Sequence, residues 1–174
     1  MNVQYFKEEF IMTVVEARVD QRLIHGIVVN QWNSKLNPKR FMIIDDIVSN
    51  QPEIKNSMRM AKPSGKSMSI IDTQKAIANF KNGNYDKQDV FIIVKEPSTL
   101  LKLLDNGISI PRVNLGIVFA DDVRTNVSKF VNLNQSEVNE LKKIEERGIP
   151  IIIQYIPDDS VIVFEKAIEN KKFK

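Results

Sequence analysis

The chain has 174 residues, 25 basic against 22 acidic, with 43% hydrophobic and 27% charged side chains, as in an ordinary soluble globular domain. It has no cysteine, which excludes thiol nucleophiles, thiolate metal ligands and disulfides. No apolar run approaches the roughly 18 residues that span a bilayer, and no basic block reads as a nucleic-acid arm, Lys171-Lys172-Phe173-Lys174 being a short charged tail.

Residues 1–12 read as an N-terminal extension. They carry Lys7, Glu8 and Glu9 and lack the apolar centre of a signal peptide, so a cytoplasmic protein is expected. The domain proper is predicted to run over 13–174. A first strand is expected at about 13–18, then a charged loop, then a helix over about 26–36 with Val28, Trp32 and Leu36 on its buried face.

Phe41–Ile44 is a short continuous apolar run, the pattern of a strand covered on both faces, and Asp45-Asp46 ends it. A helix over Pro52–Met60 leads into Lys62-Pro63-Ser64-Gly65-Lys66, where proline and glycine enforce a loop. Met68–Ile71 is the third strand. Asp72 or Thr73 caps the next helix, which carries Ala76, Ile77 and Phe80. Val90–Val94 is the strongest buried strand, and Pro97 or Ser98 opens a leucine-rich helix closed by Asn106-Gly107. Arg112–Val118 is the fifth strand, and Arg124 in the following loop reads as a solvated basic residue. Val127–Leu133 is predicted as one short strand. Asn134 and Glu137 form a capping pair for a helix bearing Val138, Leu141 and Ile144. Ile149–Ile156 is the last expected strand, and a terminal helix runs over Val161–Ile168. Strands alternating with helices give an α/β fold: an open, mainly parallel, doubly wound sheet with helices on both faces and room for one late antiparallel strand.

The chemistry concentrates in Arg18-Val19-Asp20-Gln21-Arg22-Leu23-Ile24-His25-Gly26. His25 is the single histidine, and a neutral imidazole accepts a phosphoryl group. Arg18 and Arg22 supply permanently charged forks that match phosphate oxygens. The helix entrance adds free N–H groups and the positive end of a dipole. Asp20 can orient the imidazole or hold an arginine. The nucleotide cradles GxxxxGK[ST] and GxGxxG are missing, which weighs against a nucleotide-binding domain.

That segment, with Val28 and Trp32 behind it, resembles the active-site segment of IIB subunits of the mannose/fructose/sorbose family of the bacterial phosphotransferase system. The likeness runs from about Thr13 to Pro157. Two positions depart from the family pattern: Ile27 stands where glutamine is usual, and Val113-Asn114-Leu115-Gly116-Ile117 matches a VNxGG segment with Ile117 in place of the second glycine.

The resemblance implies that His25 takes phosphoryl at Nδ1 from a IIA protein and passes it to a sugar held by a membrane IIC/IID pair. The protein is then a phosphohistidine–sugar phosphotransferase, peripheral to the permease. It needs no cofactor beyond the covalent phosphohistidine and no metal, because the arginines neutralise the phosphoryl oxygens. Arg18, Arg22, Ser64 and Gly65 are the expected phosphate contacts. Asp20 and Asp45 are the supporting carboxylates. The His25, Asp45 and Ser64 loops are all expected at the carboxyl edge of the sheet, with His25 at the surface. The family often works as a dimer, so a homodimer is among the expectations. A regulatory or adaptor module that keeps the fold without the phosphotransfer is the alternative.

Overall fold

In the computed structural model, which describes residues 13–174, four largely buried strands form the centre of one sheet. They are β1 (Val14–Asp20), β2 (Arg40–Ile44), β4 (Val90–Val94) and β5 (Val113–Ile117). With β3 (Ser67–Ile71), β8 (Ile151–Ile153) and β9 (Ile162–Val163) they make a seven-stranded sheet in the order β3-β2-β4-β1-β5-β8-β9. Every pairing is parallel except that of β9, which runs antiparallel to β8. The expected α/β architecture is the one observed. The predicted extension, residues 1–12, lies outside the described residues. Among the described residues no helix is long and apolar enough to cross a membrane.

Strand β4 is buried along its whole length because β1 and β2 flank it and helices cover both its faces. Alternation along the strands separates two apolar cores. One holds Ala17, Val19, Met42, Ile44, Ile92, Val94 and Leu115. Over it lie α3 (Thr73–Lys81), α4 (Pro97–Asp105), α5 (Gln135–Glu145) and α6 (Phe164–Ile168). The other holds Leu23, Val28, Trp32, Phe41, Ile43, Phe91 and Ile93. It is covered by the helical stretch Ile27–Leu36 and touched by Met58 of α2 (Pro52–Met60). Each of the larger aliphatic and phenyl side chains among them contributes roughly 1.5–3 kcal/mol through burial, so both cores resist displacement of β1.

The helix ends follow local chemistry. Asp72 accepts from Lys75 N to cap α3, and Asn134 and Glu137 form the reciprocal capping box of α5. The helix after the charged loop opens as a π-helix (Ile27–Trp32) before tightening into α1 (Asn33–Leu36). Val28 and Trp32 stay on one buried face in either winding.

Three expectations change. Val127–Leu133 is a hairpin rather than one strand: β6 (Thr125–Ser128) turns at Lys129-Phe130 into β7 (Val131–Leu133). The apolar run Ile149–Ile156 contributes only Ile151–Ile153 to the sheet, and the carbonyls of Gln154 and Tyr155 beyond it accept from Arg18. The segment Val161–Ile168 begins as the edge strand β9 and becomes helical only at Phe164.

Candidate functional site

Three residues of β1 alternate onto the face opposite Ala17 and Val19: Glu16, Arg18 and Asp20. All three are fully buried. A buried charge is tolerated only when paired and hydrogen-bonded, and each is. Arg112 Nε donates to Glu16 Oε2 at 2.8 Å, and Asn114 Nδ2 lies 3.4 Å from Oε1. Burial pushes the Glu16 carboxyl up, against the pull of Arg112. The Arg18 guanidinium donates from Nε to Asp20 Oδ2 at 3.0 Å, from Nη1 to Gln154 O at 3.0 Å and from Nη2 to Tyr155 O at 3.2 Å. Its Cζ lies 5.1 Å from the Trp32 ring centroid, and Trp32 Nε1 donates to the same Tyr155 carbonyl at 3.0 Å. Burial pulls the Arg18 guanidinium down, opposed chiefly by Asp20.

Gly116 on β5 makes this seat. A Cβ there would stand 2.0 Å from Arg18 Nη2. The backbone of Gly116 is not in the left-handed region, so the requirement is for space and not for conformational freedom.

Asp20 is the junction between this buried row and the loop. Its Oδ2 accepts from Arg18 and lies 2.9 Å from His25 Nε2, and its Oδ1 accepts from Arg22 N at 3.0 Å. The chain reaches this arrangement through Leu23, a buried residue at φ 55° whose N–H bonds Asp20 O at 2.9 Å. A left-handed leucine costs on the order of 1–2 kcal/mol. Packing of its side chain beside Val28 and Trp32 holds it there and turns the loop back over Asp20.

A carboxylate only accepts, so Nε2 carries the ring proton. Nδ1 then has a free lone pair and no hydrogen-bond partner among the described residues. His25 is a residue of intermediate burial in the surface loop, and its side chain, 6% exposed, is more covered than expected. The ring is folded down onto Asp20 at the open edge of the sheet. Arg22 is exposed, and among the described residues its guanidinium has no partner.

The remaining expected residues divide between the two ends of the sheet. Asp45 follows β2 at the carboxyl edge, as does His25 after β1. Its Oδ1 accepts from Ile47 N and Val48 N, and its Oδ2 lies 3.4 Å from Lys95 Nζ. Ser64 and Gly65, by contrast, precede β3, whose first residue Ser67 is level with Arg40 and, through it, with Val90. Lys66 Nζ bonds Asn37 Oδ1 and Ser67 N bonds Lys39 O, both at the amino end of β2. The expectation that the Ser64 loop shares the edge of His25 is therefore corrected: a strand of five residues or more separates them. In a parallel sheet the loop that follows a crossover helix returns to the amino end.

Arg18 also departs from its expected place among the phosphate contacts. All of its bonding is to Asp20 and the Gln154-Tyr155 carbonyls, and it has no exposed surface. Arg124, expected to be solvated, bonds Glu137 and Asp121 and ties the loop after β5 to α5. The Glu137 carboxylate beside it raises its already high pKa. Gln21 Oε1 accepts from Phe119 N at 2.8 Å and ties that same loop to the His25 loop. Ile117 is an ordinary buried strand residue whose carbonyl accepts from Gln21 N. Two residues escaped the sequence reading. Glu16 had no signal beyond being a lone acid in an apolar strand. Lys95 stands directly after the strongest strand, a place that marks a carboxyl edge but not its neighbours.

Residues 14–174 match the family described as the phosphotransferase system sorbose subfamily IIB component. The sorbose-specific EIIB component of Lacticaseibacillus casei is 30% identical over 148 residues, 85% of this chain and 90% of that protein. The mannose-specific EIIAB component of Escherichia coli strain K12 is 27% identical over 148 residues, 85% of this chain and 46% of that longer protein. The crystal structure of the IIBSor domain of the sorbose permease from Klebsiella pneumoniae superposes with a TM-score of 0.87 at 25% identity, covering 92% of this chain and 99% of that one.

Proposed function

This chain belongs to the sorbose-subfamily IIB components of the phosphotransferase system, and from that membership we propose that His25 Nδ1 is the atom that carries phosphoryl between a IIA donor and a sugar. The observation that supports this most is the 2.9 Å contact of His25 Nε2 with Asp20, which leaves Nδ1 as the nucleophilic nitrogen.

In the first step the Nδ1 lone pair attacks the phosphorus of a phosphohistidine on IIA. The new N–P bond forms as the donor's N–P bond breaks, and the donor imidazole leaves with the electron pair. Because Nε2 keeps its proton, the His25 ring becomes an imidazolium, and the Asp20 carboxylate stabilises the positive charge. In the second step a sugar hydroxyl oxygen attacks phosphorus in line, the hydroxyl proton leaves to a base beside the sugar, and the P–Nδ1 bond breaks. The departing group is a neutral imidazole, a good leaving group.

Both steps depend on positioning and charge neutralisation. Arg22, exposed and three residues from His25, supplies the fork to the phosphoryl oxygens. Arg18 acts through Asp20: it holds the carboxylate that holds the ring, and is a positioning residue. The sugar sits in a IIC/IID permease, against which this chain docks from the cytoplasm. The E. coli relative is named an EIIAB component, which fits a IIA-type donor.

Incubation with a phosphorylated IIA protein should label the wild type once, acid-labile and alkali-stable, and His25→Ala should take no label while keeping its circular dichroism. Label on the folded alanine variant would refute the assignment, and a wild type that takes no label would favour a module that keeps the fold without this chemistry.

A further inference from the structure

The buried row Glu16–Arg18–Asp20 supports His25 from beneath, and the exposed Arg22 precedes it by three residues in the loop. A further cation stands on the remaining side. In the parallel register of β1 with β4, Val19 pairs with Val94, which sets Lys95 level with Asp20 on the neighbouring strand. Neighbouring strands lie about 4.8 Å apart.

Alternation fixes its face. Ile92 and Val94 enter the core that holds Ala17 and Val19, whereas Phe91 and Ile93 enter the core of Leu23, Val28 and Trp32. Lys95, next in the alternation, therefore extends on the side of Arg18, Asp20 and His25. Its contact with Asp45, which follows Ile43 and Ile44 in the same alternation on β2, agrees with that placement.

The tie between Lys95 and Asp45 is loose on one side and firm on the other. Asp45 is fixed by the Ile47 and Val48 N–H groups, which bond its Oδ1 at 3.0 and 2.7 Å. Lys95 Nζ stands 3.4 Å from Oδ2, beyond the usual charge-assisted hydrogen bond, on a side chain 36% exposed. Partly exposed pairs of this kind contribute little to stability. A phosphoryl group on His25 brings a charge of about −1.5 to −2, against the single charge of Asp45.

We propose that Lys95 is a second phosphoryl-binding cation, held by Asp45 while His25 is free and drawn to the phosphoryl group once His25 carries it. The inference rests on the reading of His25 as the phosphoryl acceptor. It gives Asp45 a definite task, that of competing for the ammonium.

The experiment is the equilibrium of phosphoryl exchange with a phosphorylated IIA protein, measured for wild type, Lys95→Met, Lys95→Arg and Asp45→Asn, each with its melting temperature. Lys95→Met should move the equilibrium about tenfold toward the donor, and Lys95→Arg should restore most of that shift. Asp45→Asn, which frees the ammonium, should move the equilibrium a few-fold the other way. These opposite signs separate the proposal from a structural tie, whose loss would lower the melting temperature in both variants and leave the exchange constant unmoved. If Lys95→Met stays within twofold of wild type, or if Asp45→Asn shifts toward the donor as Lys95→Met does, the proposal is wrong. A wild type that takes no phosphoryl at all would instead overturn the reading of His25.

Discussion

On one face of β1, Ala17 and Val19 sit in the apolar core beneath α3, α4 and α5. On the other face of the same strand, Glu16, Arg18 and Asp20 lie just as deep and place three ionisable groups in a row. The apolar face is stabilised by area removed from water and tolerates exchange among side chains of similar volume. The charged face is held together by directed bonds, each of which leaves a costly buried group behind if its partner is lost. One strand thus serves as an element of the core and as the frame of a reactive centre, and the two roles part at the Cα atoms.

The contrast breaks most sharply at Asp20 and Val19, adjacent residues on opposite faces. Asp20→Asn can offer an amide donor to Nε2, which moves the ring proton to Nδ1 and blocks the nucleophile. Phosphoryl acceptance from IIA should fall roughly 10³–10⁴-fold. Val19→Ala should cost about 2 kcal/mol in denaturant unfolding and leave the acceptance rate of the folded protein within twofold. Similar rates for the two variants would mean that the charged face is as passive as the apolar one.

A smaller effect is expected at Arg22, whose guanidinium the buried row does not engage. Arg22→Gln should leave the fold intact and slow transfer to sugar about 10²–10³-fold, as loss of one preorganised donor does. Arg22→Lys should recover part of the rate, because a point charge lacks the fork. Single-turnover transfer from the phosphorylated variant would measure this, and a rate within twofold of wild type would make Arg22 a solvated turn residue.

The smallest effect should come from the other end of the sheet. Ser64→Ala should alter neither phosphoryl acceptance nor transfer by more than about twofold, since Ser64 lies with Asn37 and Lys39 at the amino edge. A large loss in the same steady-state assay would require the phosphoryl path to reach that edge.

Much of the fold was legible because its signals are local. Val90–Val94 and Pro52–Met60 have the bounds the sequence suggested, through an uninterrupted apolar run and an N-terminal proline. The Asn134–Glu137 capping box could be read from its spacing. The hairpin at Lys129-Phe130 was hidden because its turn lacks the glycine, proline or asparagine that marks such turns.

At the site, the Arg18–His25 segment announced its chemistry, but not which cation reaches a phosphate. That depends on alternation within β1 and on a carbonyl pair more than a hundred residues away, Gln154 and Tyr155. Lys95 passed unnoticed for a related reason: its nearness to Asp20 is set by strand register, and register is a property of the assembled sheet. Ser64 was placed at the wrong edge because its position was taken from the family resemblance and not from the rule that loops after crossover helices return to the amino end.

The vacancy left by Gly116 bears on how such a chain can change over generations. With its guanidinium lying where a Cβ would stand, Arg18 and Gly116 form a single inherited character split between two strands. An alanine at 116 arriving alone would expel the arginine from its seat beside Asp20. A short residue at 18 arriving alone would open a void and strand the carboxylate. A chain that parts with this arrangement by single steps therefore passes through an impaired intermediate, unless both positions change together.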